Sequence, residues 1–279
     1  MPKTRINGIE IAYQVQGQGF PLVLAHGYTA SQELWADQRD AFSRRYQLVT
    51  YDCRGHGLSE APADPSQYSL DIFVEDQKAL LDQLGTAEAY VGGLSMGGMI
   101  AMRFALKYPK MVRALLLLDT AAGLSDTALS QWHAISEMGE RIVRSEGVGA
   151  AVRRIWEARR QLGFETPDPT PGVLRHLEGL EHMSADGFLG AGKALREQES
   201  VLDRLAEIRA PTLILVGDQD PLLGPSRAMR ERLPQSRFVL IKGSTHGTCV
   251  WRPDAFEKAA LDFLTAVDQG RTVAGEFEL

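Results

Sequence analysis

The chain alternates between short apolar stretches and longer stretches in which apolar residues recur at helical spacing. A strand that is covered on both faces is apolar at nearly every position, so we interpret the short stretches as buried strands. Such strands are predicted at 21–27, 46–52, 87–94, 112–120, 210–218 and 236–243. Helices are predicted between them, at 31–45, 70–85, 96–109, 225–233 and 253–267. The alternation predicts an α/β fold, a mostly parallel sheet with helices on both faces.

Both ends of the chain depart from this alternation. Near the N-terminus, two β-like runs flank Asn7-Gly8, a dipeptide that strongly favours a two-residue hairpin turn. We expect the final segment, 269–279, to be a loosely held tail. The sheet is therefore predicted to begin with a hairpin and to end with the last apolar strand.

A long helical insertion interrupts the alternation between residues 121 and 206. We predict a core formed by 1–120 and 207–279, with 121–206 as a cap or lid. Because strands resume after it, the insertion should lie at the C-terminal edge of the sheet, where open α/β sheets bind their ligands. The side chains that could line a pocket beneath it, or pack it onto the core, are Trp132, Trp156, Met138, Met183 and Phe188.

The sequence Gly93-Leu94-Ser95-Met96-Gly97 matches the pattern G-x-S-x-G between a predicted strand and a predicted helix. That context is the one in which a serine becomes an exposed nucleophile on a sharp turn, and Ser95 is the candidate. The N–H of Met96, at the start of the helix, is a candidate donor to an oxyanion. A phosphate-binding P-loop is excluded because no Gly-Lys-Ser/Thr follows, and the dinucleotide pattern G-x-G-x-x-G is absent.

A serine hydroxyl needs a base to take its proton, and the base needs a group that orients it. The two strands after the insertion are followed by Asp218 and Asp220 and then by His246, on the same sheet edge as Ser95. We predict that His246 is the base and Asp220 the acid, with Asp218 as a turn residue. Asp119, at the end of strand 112–120, is an alternative acid.

These residues belong to a larger set of motifs that resembles the α/β-hydrolase fold family. The motifs are His26-Gly27-Tyr28, the D-x-R-G-x-G-x-S run 52–59, G-x-S-x-G-G at 93–98, G-x-x-D at 217–220 and the late histidine. Within the family, the chain is most similar to small carboxylesterase-like members and to enol-lactone hydrolases. The resemblance covers the core on both sides of the insertion.

The resemblance implies an eight-stranded type of sheet and a catalytic triad of Ser95, Asp220 and His246. It also implies an oxyanion hole formed by the backbone N–H groups of Tyr28 and Met96, and no cofactor or metal. One departure concerns the late motif, where the family usually has Gly-His and this chain has Thr245 before His246. The loop 52–59 is predicted to be structural, fixed by hydrogen bonds of Asp52 and Arg54.

The composition of the chain limits the classes of partner and the cellular compartment that we expect. The 279 residues carry a net charge of −6, which argues against a nucleic-acid surface. Cys53 and Cys249 have neither the spacing of a disulfide framework nor that of a zinc site, and His176 and His182 do not share a helical face. No apolar run approaches the ~20 residues needed to cross a bilayer, and the N-terminus lacks the apolar stretch of a signal peptide. We expect a cytoplasmic protein without a membrane partner.

The resulting hypothesis is a serine hydrolase that cleaves a small carboxylic ester or lactone through an acyl-enzyme on Ser95. Two further functions stay open at the level of sequence. The same triad could hydrolyse a C–C bond or act as a cofactor-free perhydrolase, and the fold also hosts receptors that keep the triad but bind small molecules without turnover. The oligomeric state is not determined by the sequence.

Overall fold

The structure is a computed structural model that describes residues 1–124, 126–161, 171–172, 174–175 and 183–279. Its strands are β1 (Lys3–Ile6), β2 (Ile9–Gln16), β3 (Phe20–Ala25), β4 (Tyr46–Tyr51), β5 (Ala89–Leu94), β6 (Val112–Leu118), β7 (Thr212–Gly217), β8 (Arg237–Ile241) and β9 (Gly275–Glu278). Its helices are α1 (Arg39–Ser43), α2 (Leu70–Gln83), α3 (Met96–Lys107), α4 (Asp126–Glu146), α5 (Val148–Gln161), α6 (Ala185–Arg196), α7 (Leu223–Arg232), α8 (Thr248–Trp251) and α9 (Pro253–Asp268).

The described strands form one sheet in the order β1-β2-β4-β3-β5-β6-β7-β8-β9. The hairpin β1–β2 is antiparallel, β2 is antiparallel to β4, and the pairs from β4 onward are parallel. Asn7 and Gly8 both have positive φ angles, 46° and 82°, which a primed hairpin turn requires. The predicted α/β fold and its N-terminal hairpin are confirmed.

The C-terminal end of the sheet differs from the prediction. An eight-stranded type of sheet and a loose tail were expected, but residues 275–278 form a ninth strand, β9, parallel to β8. The Lys242 N–H also donates to the Leu279 carbonyl over 2.7 Å. This edge strand is mostly exposed, and charged and apolar residues alternate along it, as Glu276, Phe277 and Glu278 show. It therefore lacks the continuous apolar run that marks a buried strand.

The predicted helix at 31–45 also differs from the structure, which has a 3-10 turn at Gln32–Trp35 and the short helix α1 instead.

Both faces of the central strands are buried, which explains their unbroken apolar sequence. Alternate side chains such as Val23 and Leu117 pack with α2 and α3 on one face. Their neighbours such as Leu24 and Leu116 pack with α9 on the other face. The sheet is thus the middle of three layers, and the loops at the C-terminal ends of its strands share one rim.

The helices α4, α5 and α6 follow β6 in the chain and precede β7. Their apolar side chains form a separate cluster, which includes Val143, Val152 and Phe188, and Tyr28 of the core packs against it. The structure describes only part of the segment 121–206, and its action as a cap stays a prediction. In the described part of the chain, no helix is long and apolar enough to cross a membrane.

The loop after β4 is held by two buried carboxylates. Asp52 accepts hydrogen bonds from the N–H groups of Gln32 and Leu58, at 2.7 and 2.9 Å. The Arg54 guanidinium donates to both carboxylate oxygens of Asp76, each over 2.8 Å, and both side chains are almost fully buried. The structural role predicted for this loop is confirmed by these contacts.

We predict that Asp76→Ala lowers the free energy of unfolding by about 3–5 kcal/mol, because it leaves the Arg54 charge buried and unpaired. Asp82→Ala is the matched control, since it removes a carboxylate from the same helix whose ion pair with Lys78 is exposed to solvent. That change should cost no more than about 1 kcal/mol. Urea unfolding of the three proteins measures the difference, and equal losses would contradict the prediction.

Candidate active site

Ser95 stands between the end of β5 and the start of α3 in a conformation that few non-glycine residues adopt. Its φ and ψ angles are 56° and −115°. Its N–H donates to the Leu118 carbonyl over 2.9 Å, and the Thr120 hydroxyl donates to the Ser95 carbonyl over 2.7 Å. Such strain persists only where the surroundings over-determine it, and it is concentrated at functional sites.

The glycines around Ser95 are required by close backbone approach. A Cβ at Gly97 would lie 2.1 Å from the Ala25 carbonyl oxygen, and one at Gly93 would lie 2.4 Å from the Gly97 carbonyl oxygen. A side chain at either position would push α3 away from β3 or from β5. The G-x-S-x-G pattern is thus the sequence that lets β5 turn directly into α3 beside β3.

Asp220 and His246, which follow β7 and β8, are joined by a hydrogen bond. His246 Nδ1 lies 2.9 Å from Asp220 Oδ2, while Asp220 Oδ1 accepts from the Leu222 N–H at 2.8 Å. Because a carboxylate accepts, this contact assigns the ring proton to Nδ1 and leaves Nε2 as the basic nitrogen. Of the two predicted acids, it is Asp220 that touches the imidazole through this bond.

The charge on Asp220 is stabilised by its partner. Burial raises the pKa of the Asp220 carboxyl, but the His246 imidazole, together with hydrogen bonds such as that from the Leu222 N–H, holds that pKa below its ordinary value. The carboxylate is therefore ionised at neutral pH, and an ionised carboxylate in turn favours the protonated imidazole. The pair is suited to a base that becomes positively charged during a reaction.

Asp119, the alternative acid, is buried behind this pair. Its Oδ2 accepts from the Thr248 N–H and hydroxyl, each at 2.7 Å, and its Oδ1 accepts from the Gly217 N–H at 3.3 Å. Burial, followed by repulsion from Asp220, raises the pKa of the Asp119 carboxyl. Its hydrogen bonds thus go to the segments that carry Asp220 and His246.

The helix and the loop that carry the two predicted oxyanion donors both come close to Ser95. Met96 opens α3, and N–H groups in the first turn of a helix have no intrahelical acceptor. A Cβ built on Gly27 would lie 3.4 Å from the Ser95 Cβ, so the loop that leads to Tyr28 passes beside the serine. These positions are compatible with the predicted oxyanion hole.

The side chain of Tyr28 joins this loop to the helical insertion. Its hydroxyl donates to the Phe188 carbonyl over 2.8 Å, and its ring meets Trp132 edge-on with centroids 6.2 Å apart. Met183 and Phe188 pack in the apolar cluster of the insertion, against which Met138 also packs. The side chains of Trp156, His176 and His182 lie outside the described residues.

Sequence reasoning missed how the loops at this edge are held together. His26 donates from Nδ1 to the Gly27 carbonyl over 2.8 Å and accepts at Nε2 from the Cys53 N–H over 2.9 Å. It therefore links the Tyr28 loop to the loop after β4. The H-G pair in the sequence was the available signal, whereas nothing in the sequence indicated that Thr248 binds Asp119.

Among the described residues, no group of three or more His, Cys, Asp or Glu side chains is arranged to hold a metal ion.

A serine on a strained strand-to-helix turn, with an Asp–His pair at the same edge of an open sheet, is the arrangement of nucleophile-elbow hydrolases. The chain belongs to the alpha/beta hydrolase fold family, whose family model matches residues 21–253.

Several named proteins are similar to this chain. A protein of Azorhizobium caulinodans, provisionally named carbamate hydrolase RutD, is 29% identical over 276 residues, which cover 96% of this chain and 100% of that protein. The 3-oxoadipate enol-lactonase 2 of Acinetobacter baylyi is 28% identical over a match that covers 85% of this chain and 86% of that protein.

Among solved structures, a thermophilic esterase from Thermogutta terrifontis superposes with a TM-score of 0.79 at 27% identity, over 95% of this chain and 97% of that one. Together with the family match, these relatives support a hydrolase of this fold.

We predict that Gly97→Ala lowers the free energy of unfolding by at least about 2 kcal/mol, because the new methyl group collides with the Ala25 carbonyl. Gly224→Ala is the control, since this glycine lies in the first turn of α7 with no atom within 4 Å of an added Cβ and no positive φ. It should change stability by less than about 1 kcal/mol. Denaturant unfolding distinguishes the two, and a neutral Gly97→Ala would contradict the close packing of α3 on β3.

Proposed function

We propose that this chain is a serine hydrolase that cleaves a small carboxylic ester or lactone through an acyl-enzyme on Ser95. The observation that carries the proposal is the 2.9 Å hydrogen bond between Asp220 and His246, at the sheet edge where the strained Ser95 lies. The enol-lactonase and esterase relatives support the ester or lactone class.

In the first half of the reaction, His246 Nε2 takes the proton of the Ser95 hydroxyl as its oxygen attacks the substrate carbonyl carbon. The carbonyl oxygen becomes negatively charged and accepts hydrogen bonds from the N–H groups of Tyr28 and Met96. Asp220 holds the imidazole tautomer and stabilises the imidazolium, without itself taking a proton. The C–O bond to the alcohol then breaks, and the imidazolium protonates the leaving oxygen.

In the second half, water replaces the alcohol. His246 takes a proton from the water, whose oxygen attacks the acyl carbon, and the bond to Ser95 breaks as the serine oxygen regains a proton. The products are a carboxylic acid and the free enzyme. The proposed reaction needs no cofactor or metal because nucleophile, base and oxyanion donors all come from the chain.

A carbamate is a second candidate substrate, because the RutD relative aligns with 96% of this chain. The same attack on a carbamate carbonyl would expel an amine or ammonia instead of an alcohol. An ester, a lactone and a carbamate of similar size and polarity compare the two classes. The class with the highest kcat/KM identifies the preferred bond.

Turnover assays also test for C–C bond hydrolysis, perhydrolysis and a receptor role. A C–C hydrolase would turn over a β-diketone faster than an ester, and a perhydrolase would form peracetate from acetate and peroxide. A receptor would bind a ligand tightly and show no multiple turnover. Each of these outcomes would replace ester or lactone hydrolysis as the function.

We predict that Ser95→Ala lowers kcat for p-nitrophenyl butyrate by roughly 10⁴-fold or more, because the nucleophile is lost. The same change should also abolish labelling by a fluorophosphonate. In the wild-type protein, mass spectrometry should locate the fluorophosphonate adduct on Ser95. Ser236→Ala is the control, since its buried hydroxyl donates locally, to the Leu233 carbonyl over 2.7 Å, and the residue precedes β8 at the end of that strand opposite to His246. A Ser95→Ala protein that keeps wild-type turnover or labelling would contradict the proposal.

We predict that Asp220→Asn lowers kcat by roughly 10⁴-fold, because the imidazole loses its orienting carboxylate. The ionised carboxylate favours imidazolium, so its removal makes His246 protonate at a lower pH. The acid limb of the kcat/KM profile should therefore move to lower pH. Asp203→Asn is the control, because the Asp203 carboxylate is strongly exposed. It should leave both kcat and the acid limb of the kcat/KM profile unchanged. An unchanged limb in Asp220→Asn would contradict the assignment.

A further inference from the structure

The segment that follows β6 is hydrogen-bonded to Ser95 and to the backbone segments that carry Asp220 and His246. The Thr120 hydroxyl donates to the Ser95 carbonyl over 2.7 Å. The adjacent Asp119 carboxylate accepts from Gly217, at the end of the strand that leads to Asp220, and from Thr248, two residues after His246. Residues 119 and 120 thus link the loops of three different strands.

The backbone at Asp119 is held in a costly conformation. Its φ angle is 44°, one of four positive values among the described non-glycine residues, and its N–H donates to the Leu215 carbonyl of β7 over 2.8 Å. A buried aspartate at a left-handed position costs stability in two ways, through strain and through desolvation. Such a cost is retained where the side chain has a task at the site.

We propose that Asp119 is a positioning residue that fixes the His246 loop against the end of β7 and, when it is ionised, adds negative charge near the imidazole. This inference rests on the proposed function and deepens it. Asp119 accepts hydrogen bonds from Thr248 and Gly217, whereas Asp220 accepts one from the imidazole ring, so the two carboxylates have different roles. Asp220 orients the imidazole, and Asp119 orients the loop that carries it.

The groups that face Asp119 make its charge matter to His246. Asp220, from the turn after β7, repels it, and the imidazole of His246 attracts it when protonated. From α8, the Cys249 thiol is uncharged, because burial and the Asp119 charge raise its pKa well above the ordinary value. The N–H groups of Thr248 and Gly217 stabilise the ionised carboxylate. Protonation of His246 and ionisation of Asp119 therefore favour each other.

The test replaces Asp119 by its neutral isostere. In the wild-type protein, the Asp119 carboxylate accepts hydrogen bonds from N–H groups on both sides. In Asp119→Asn, an amide NH₂ faces one of these donors and cannot accept from it, so the His246 loop is held less firmly. We predict a fall in kcat of about 10- to 100-fold with little change in KM, since misplacement of the base affects the chemical step. The acid limb of kcat/KM should also move to lower pH by roughly half a unit to one unit.

Two controls separate position from charge. Thr248→Val removes the hydroxyl contact but keeps both the backbone N–H and the carboxylate, so kcat should fall about three- to tenfold without movement of the acid limb. Asp218→Asn removes a less buried carboxylate that accepts from Ser244 at 3.3 Å, and it should move the limb less than Asp119→Asn does.

The outcomes distinguish this inference from the proposed function. If Ser95→Ala is inactive while Asp119→Asn keeps the wild-type kcat and acid limb, the positioning role is overturned and the hydrolase assignment stands. A lower kcat with an unmoved limb also overturns it, because it reveals a merely structural aspartate. If Asp119→Asn fails to fold, an unchanged kcat in Thr248→Val overturns it.

If the wild type hydrolyses no ester, lactone or carbamate, the proposed function fails and the inference is judged without turnover. NMR titration of the His246 ring in the folded proteins then measures its pKa directly. A lower pKa in Asp119→Asn than in wild type supports the inference, and equal values overturn it.

Discussion

The site depends on one constrained turn, in which β5 passes directly into α3 through a serine with a positive φ. The turn forms because Gly93 and Gly97 let three backbone segments touch where any side chain would collide. Hydrogen bonds from Ser95 to Leu118 and from Thr120 to Ser95 then hold it against β6. The strain at Ser95 is offset by the packing and hydrogen bonds of the segments around it.

The rest of the site is built on the same rim by loops that have little structure of their own. Buried hydrogen bonds supply the order that helices and strands supply elsewhere: His26 ties the Tyr28 loop to the loop after β4, and Asp119 ties the β7 end to Thr248. In a water-poor interior such bonds are strong, and leaving one unmade is costly. The Tyr28 hydroxyl extends this hydrogen-bond network into the helical insertion through the Phe188 carbonyl. The residue that supplies a predicted oxyanion donor is therefore bonded to the insertion as well.

Much of the fold could be predicted because its signals are local. Burial on both faces makes the central strands continuously apolar, and the Asn7-Gly8 turn requires two positive φ angles that few dipeptides accept. The strand β9 escaped prediction because an exposed edge strand needs no apolar pattern; its order comes from pairing with β8. The helix expected at 31–45 is divided into two short elements, and its Gln32 and Gln38 donate hydrogen bonds to Asp52 and to the Cys249 carbonyl instead.

For the site, the sequence by itself determined the elbow around Ser95 and the order of serine, acid and histidine. Glycine spacing and strand ends are properties of neighbouring residues, and parallel strands bring their ends to one rim. Only the tertiary structure shows which carboxylate contacts the imidazole, because Asp119 and Asp220 both follow strands and differ in what they reach. Asp220 touches the His246 ring, whereas Asp119 meets Thr248 across 129 positions of chain. Such a contact depends on the order of strands in the sheet and on the path of the loops, which no local pattern of residues encodes.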